Sequence, residues 1–192
     1  MNEISNYAMY AMDKKVEGEY KKKRQVMIAI YILIPIAVIV LFSILAAIGP
    51  DLTFFAIILI PVYPFLLTKL IKPLTWKWVD ISYRYEISMG NFTVATIYGE
   101  GDDSYAWKNF EVKAYSLLRI EPYTDEAKEE LKKEKFEKIY EATSSINHPD
   151  NYFATFYDEN ERYCMVYFEA TEKVLKVLKF LNKNTVVTQV SK

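Results

Sequence analysis

The chain has 192 residues, with 24 Lys plus Arg against 25 Asp plus Glu, one His, one Cys and a formal net charge of -1. This balance gives no field that would attract nucleic acid, and a lone cysteine excludes an intrachain disulfide. One His and one Cys also fall short of the clustered ligands that a zinc-type site needs. Charged residues make up 26% of the chain, yet only Asp51 lies between Arg24 and Lys69, so the composition averages over two different solvents.

In the first segment, Ile4, Tyr7, Ala8, Ala11 and Met12 recur at spacings of three and four, which predicts a weakly apolar helix face. Residues 1–24 are expected to form a cytosolic N-terminal segment that lies on the membrane, packs on the later domain or frays. It ends in the cations Lys21, Lys22, Lys23 and Arg24.

From Gln25 to Pro50 there is no charge, and Val26 to Ile48 would make roughly 35 Å of helix, longer than the hydrocarbon core of a bilayer. Its Ile, Leu, Val and Phe residues favour insertion by roughly 5 to 9 kcal/mol in sum. Pro35 is expected to kink this span without ending it. The apolar core is too long, and its preceding segment too acidic, for a cleaved signal peptide.

A second span is expected over residues 52–71, shorter and interrupted by Pro61 and Pro64, with Lys69 snorkelling to the headgroups. Gly49, Pro50 and Asp51 leave room only for a tight turn, so residues 25–72 read as an antiparallel transmembrane hairpin. Cations flank its open end on both sides, with Lys69, Lys72 and Lys77 following the second span, and none lies in the turn. Both termini are therefore expected in the cytosol of a multi-pass cell-membrane protein, with Tyr31, Trp76 and Trp78 as interfacial anchors.

After Pro73 the pattern becomes alternating. Val79, Ile81, Tyr83, Tyr85, Ile87 and Met89 share one face of a strand, and Gly90-Asn91 turns it into a second strand over Phe92 to Tyr98. A third strand over Phe110 to Ile120 is broken near Ser116, and Thr124 caps a charged, mostly solvated helix from Asp125 to Phe136. Three further strands are predicted at Lys138–Ser144, Tyr152–Tyr157 and Arg162–Glu169, the last two joined as a hairpin. Thr171 then opens an amphipathic helix with Val174, Leu175, Leu178 and Leu181 inward and Lys173, Lys176, Lys179 and Lys183 outward.

Antiparallel strands followed by one amphipathic helix predict a curled sheet of six or seven strands, capped by that helix, over residues 73–192. The run Tyr85-Glu86-Ile87-Ser88-Met89-Gly90-Asn91-Phe92-Thr93-Val94-Ala95-Thr96-Ile97-Tyr98-Gly99, placed after a two-helix hairpin, resembles an uncharacterised family of small bacterial membrane proteins with bacterial PH-like domains. The resemblance implies a membrane α-hairpin joined to an α+β, mainly-β PH-like domain, and brings no catalytic residue with it. The helix at Asp125 to Phe136 departs from a minimal PH barrel.

Chemistry-bearing residues are sparse. His148 sits in the turn Asn147-His148-Pro149-Asp150, Cys164 shares a strand face with Val166 and Phe168, and Gly99-Glu100-Gly101 lacks the third glycine and the helix of a phosphate loop. No catalytic, cofactor or metal site is expected. The site residues singled out are the flanking cations Lys21, Lys22, Lys23, Arg24, Lys69 and Lys72, as contacts to anionic lipid. The expected partners are the bilayer and either a protein or a second copy of the chain. The leading function is a non-enzymatic protein- or lipid-interaction module, with an oligomeric accessory subunit and a membrane hydrolase using Asp102, Asp103 and His148 as alternatives.

Overall fold

The computed structural model describes residues 7–49, 54, 62–75, 79–99, 101–183 and 185–187. It divides into two compact units, one made of the residues up to Lys15 with Ser82–Ile97 and Ala106–Lys192, the other of Val16–Ile81 with Tyr98–Tyr105.

The second unit is built on α1, Gly18–Ile48. Its 31 residues reach about 46 Å, none is buried, and it runs through Pro35 without a break. Among the described residues it is the one helix long and apolar enough to cross a membrane. Most of the expected second span, along with Pro50, Asp51, Trp76 and Trp78, lies outside the described residues. What is described of it is helical over 62–66, then a π-turn at Leu67–Ile71 and α2 at Lys72–Thr75. The Thr68 hydroxyl donates to the Pro64 carbonyl at 2.8 Å across that turn.

The first unit holds two four-stranded sheets where a single curled sheet was expected. One has the order β1-β2-β3-β4, with β1 Ala8–Asp13, β2 Ile81–Ser88, β3 Asn91–Tyr98 and β4 Tyr105–Lys113. The other has the order β5-β7-β8-β6, with β5 Arg119–Pro122, β6 Lys138–Ala142, β7 Asn151–Tyr157 and β8 Tyr163–Glu169. The break near Ser116 is a single 3-10 turn, Ala114–Ser116, at which the chain leaves one sheet for the other. Met89 and Gly90 both have positive φ, 50° and 78°, as a two-residue hairpin turn demands. The β7–β8 hairpin closes as expected, with the Asp158 carboxylate accepting from the amides of Asn160 and Arg162. Pairing of β6 with β8 is parallel, so the sheet is mixed rather than purely antiparallel.

The N-terminal segment corrects the helical expectation. Ala8–Asp13 is a strand, antiparallel to β2 from Ala8 opposite Ile87 to Asp13 opposite Ser82. Its burial alternates, with Ala8 and Met12 buried and Met9 half-exposed. Spacing of three and four and spacing of two both fit so short a segment, and the partner strand decides between them. The arm expected outside the domain therefore supplies one of its strands.

The core lies between the sheets and is aromatic. Phe92 meets Phe168 at 5.5 Å, Tyr85 meets Phe168 at 5.7 Å, and Phe110 meets Phe156 at 4.6 Å and Tyr140 at 4.7 Å between ring centroids. Cys164 is fully buried among these even-numbered positions of β8. The final helix, α4, spans Glu172–Leu181 under a Thr171 cap and buries Val174, Val177 and Leu178. α3, Asp125–Leu131, is shorter than its expected span.

Just past β1, the Lys14 ammonium donates to Tyr83 at 3.0 Å and to Glu141 at 2.6 Å, and Tyr83 donates to the same carboxylate at 3.1 Å. Burial holds the Tyr83 phenol protonated, raising its pKa to about 12 against about 10 in an unfolded chain. Burial pushes Lys14 down, but its bonds to Glu141 and Tyr83 outweigh that and leave it raised. Both raised groups bind protons more tightly when folded, so stability is lost as pH climbs from about 10 through about 12. Tyr83→Phe is expected to flatten part of that alkaline decline in a pH series of urea unfolding. An unchanged slope would rule this linkage out.

Candidate functional site

The first place where the sequence put function is the foot of α1. Tyr20 and Arg24 stand one turn apart and so share a face. Both reach the Val79 carbonyl, Tyr20 through its hydroxyl at 2.5 Å and Arg24 through Nε at 3.2 Å, while the Ile81 amide donates to the Tyr20 hydroxyl at 3.3 Å. Arg24 also lies 3.6 Å from the Asp80 carboxylate. Two turns further up the same stripe, the Tyr31 hydroxyl is bonded to the Thr75 hydroxyl. The order of these pairs along the chain is antiparallel, with Thr75 beside Tyr31 and Val79 beside Tyr20 and Arg24.

This fixes the predicted cations individually. Arg24 is turned onto the protein's own Val79–Asp80, whereas Lys21, Lys22 and Lys23 occupy the exposed flanks of the helix. Lys69 and Lys72 are also exposed, but Lys72 precedes Thr75, which is level with Tyr31, about 15 Å up the helix from Lys21. The structure therefore does not gather the six cations at one level.

The second place was not legible as a site. β7 and β8 read as nearly unbroken apolar runs because both of their faces are covered. The even positions enter the core between the sheets, while Phe153, Met165 and Tyr167 face the other way and pack with Ala127 and Leu131 of α3, flanked by Tyr123 and Phe136. Arg119 on β5 fastens this cover. Its guanidinium pairs with Glu121 at 2.7 Å, Glu130 at 2.8 Å and Glu134 at 3.3 Å, and lies 5.1 Å from the centre of the Phe153 ring. The bonds to Glu121 and Glu130 raise its pKa well above the ordinary arginine range, against the burial that opposes them.

The outward residues of β6, at the edge of this sheet, stay exposed, so α3 leaves that side of the sheet open. Where the cover runs out there is a cleft of ≈ 660 Å³, floored by Phe136, Ile139, Met165 and Tyr167. Ile139 on β6 remains 52% exposed there. Asp125 with Lys128 and Glu129 with Lys132 form ion pairs along the rim.

His148 accepts the Asp150 amide at Nδ1, 3.3 Å, and its Nε2 lies 3.9 Å from the buried Glu169 carboxylate. The other Glu169 oxygen accepts the Ser144 amide at 2.5 Å, and Asn151 donates to the Ser145 carbonyl at 2.8 Å, so this knot fastens the 143–151 loop. Nothing in the local sequence marks Glu169 as buried, since its hydrogen-bond partners Ser144 and Thr143 lie 25 and 26 residues upstream. Cys164 is walled off by the core, and burial pushes its thiol pKa up. Asp102 sits exposed on a 3-10 turn, Gly101–Asp103. Among the described residues, no group of three His, Cys, Asp or Glu is placed to hold a metal.

The family model described as bacterial PH-like domain (DUF6106) matches residues 16–188, which covers all the elements above except β1. No curated protein and no solved structure matches the chain.

Proposed function

The chain belongs to the bacterial PH-like domain family, and from that premise we propose that it is a membrane-anchored, non-enzymatic interaction module. In this reading α1 and the segment returning to Thr75 form a two-pass hairpin, and the PH-like unit on its open end receives a protein or lipid head at the cleft beside α3.

The observation that carries the reading is the pairing of β1 with β2. β1 precedes α1 and β2 follows the return segment, yet the two strands are hydrogen-bonded along their length, so they occupy the same side of any membrane that α1 crosses. This supports a chain that crosses at α1 and returns before Ile81. The antiparallel order of the Tyr20–Val79 and Tyr31–Thr75 bonds supports such a return. The same pairing argues against a cleaved leader, because removal of α1 would take a strand out of the sheet. The cations at the open end support a cytosolic PH-like unit.

The test uses single cysteines at two exposed positions, Tyr7→Cys and Tyr157→Cys, in a Cys164→Ala background, with a membrane-impermeant maleimide. Both are expected to react in inverted membrane vesicles and neither in intact spheroplasts. Labelling of the two positions from opposite sides would overturn the hairpin. For the cleft, Ile139→Asp is expected to abolish co-purification of a reproducible partner with the intact protein in mild detergent. Unchanged recovery would remove the cleft from the reading.

A further inference from the structure

The sequence places Lys173, Lys176, Lys179 and Lys183 on the outer side of α4, and the structure sets further exposed groups beside that face. Helical geometry that buries Val174, Val177 and Leu178 turns Lys176, Lys179 and Phe180 outward, and Lys183, just past the end of the helix, is exposed. Phe180 is 48% exposed among these cations. The Asn182 side-chain amide, at the end of the helix, donates to the carbonyls of Leu117 at 2.8 Å, Ala114 at 3.1 Å and Tyr115 at 3.3 Å. This clamp holds the turn between the two sheets beside α4, and that turn exposes Tyr115 and Leu118. The chain then runs along β5, where the Val187 amide donates to the Ile120 carbonyl at 2.9 Å and leaves the Val187 side chain half-exposed.

The three segments that carry these four exposed apolar side chains are thus fastened next to one another. Lys176 is paired with Glu172, whereas among the described residues no carboxylate is paired with Lys179 or Lys183. An apolar patch bordered by unneutralised lysines complements one kind of surface best: a bilayer interface, where apolar groups enter the acyl boundary and ammonium groups meet anionic heads.

We propose that this patch, Tyr115, Leu118, Phe180 and Val187 with Lys179 and Lys183, is a second membrane contact that docks on an anionic bilayer surface. It is separate from the cleft beside α3. Tethering by a hairpin would raise its local concentration at a bilayer, but the chemistry of the patch does not rest on the anchor.

The experiment places an environment-sensitive fluorophore on Phe180→Cys in the full chain, the buried Cys164 being replaced by alanine, and reconstitutes the protein in vesicles of phosphatidylcholine with or without phosphatidylglycerol. The expected result is a blue shift with phosphatidylglycerol, quenching by headgroup-labelled lipid, and reversal at high salt. Each lysine is expected to be worth about five-fold in the bound-to-free ratio, so Lys179→Glu with Lys183→Glu should abolish the shift. Lys179→Gln with Lys183→Gln provides a milder pair with the same expected direction. A probe that stays water-like in both vesicles, or a shift untouched by either pair, overturns the proposal. Resistance of the same protein to alkaline carbonate extraction reports on the anchor separately, so failure of one reading is distinguishable from failure of the other.

Discussion

Phe168→Ala is expected to remove about 3 to 5 kcal/mol from the stability of the PH-like unit, the range for truncating a fully buried phenylalanine. Phe168 has no exposed surface, and its ring is shared by three others: Phe92 at 5.5 Å, Tyr85 at 5.7 Å and Tyr152 at 6.3 Å. Those rings come from both sheets, so the void cannot be closed by one strand moving in. The Tyr85 hydroxyl is further held by the Glu169 carbonyl, which keeps its ring from tipping into the space. Since domains are stable by only about 5 to 15 kcal/mol, this single change should leave a large unfolded fraction. Urea-dependent pulse proteolysis of the detergent-solubilised chain reads this unit without interference from a helix such as α1. A loss below about 1 kcal/mol would mean that the aromatic core is not assembled as described.

The second large effect is expected at β1, and it is a contrast between neighbours. Ala8 is fully buried against the first sheet's core face, whereas Met9, on the opposite face of the same strand, is 51% exposed. Ala8→Asp places an unpartnered carboxylate at a position with no exposed surface, at a cost of about 3 to 5 kcal/mol or detachment of the strand. Met9→Asp should stay within about 0.5 kcal/mol of the parent. The same proteolysis measurement compares them. Equal effects would refute a strand at this position, and reversed effects would mean a register shifted by one residue.

Much of the architecture could be read from local pattern. The alternation from Ile81 to Ile87, the turn chemistry at Gly90, the Thr124 and Thr171 caps and the apolar stripe of α4 are all set by residues within a few positions of one another. Three features were not legible, and each depends on a distant partner. Ala8–Asp13 is poor in β-branched residues, so only pairing with residues 82–87 makes it a strand. The parallel approach of β6 to β8 leaves no trace in either segment. The buried position of Glu169 arises from donors around Ser144. For the site, the cations were visible as a run, but the diversion of Arg24 to Val79 and Asp80 requires the returning chain to be in place. The cover over β7 and β8 could have been inferred from their apolar residues, which continue through both parities and so require a cover on each face. What no pattern shows is that α3 does not finish that cover.

The register of β1 on β2 sets Asp13 opposite Ser82, which is the spacing at the closed end of an ordinary β-hairpin. Everything from Lys14 to Ile81 therefore occupies the position where other sheets have a two-residue turn. A short Asn-Gly connection there would join the same two strands and yield a water-soluble version of the sheet with its edge intact. A fragment cut simply at the end of α2 would instead leave β2 as a naked edge, open to pairing with its neighbours in solution.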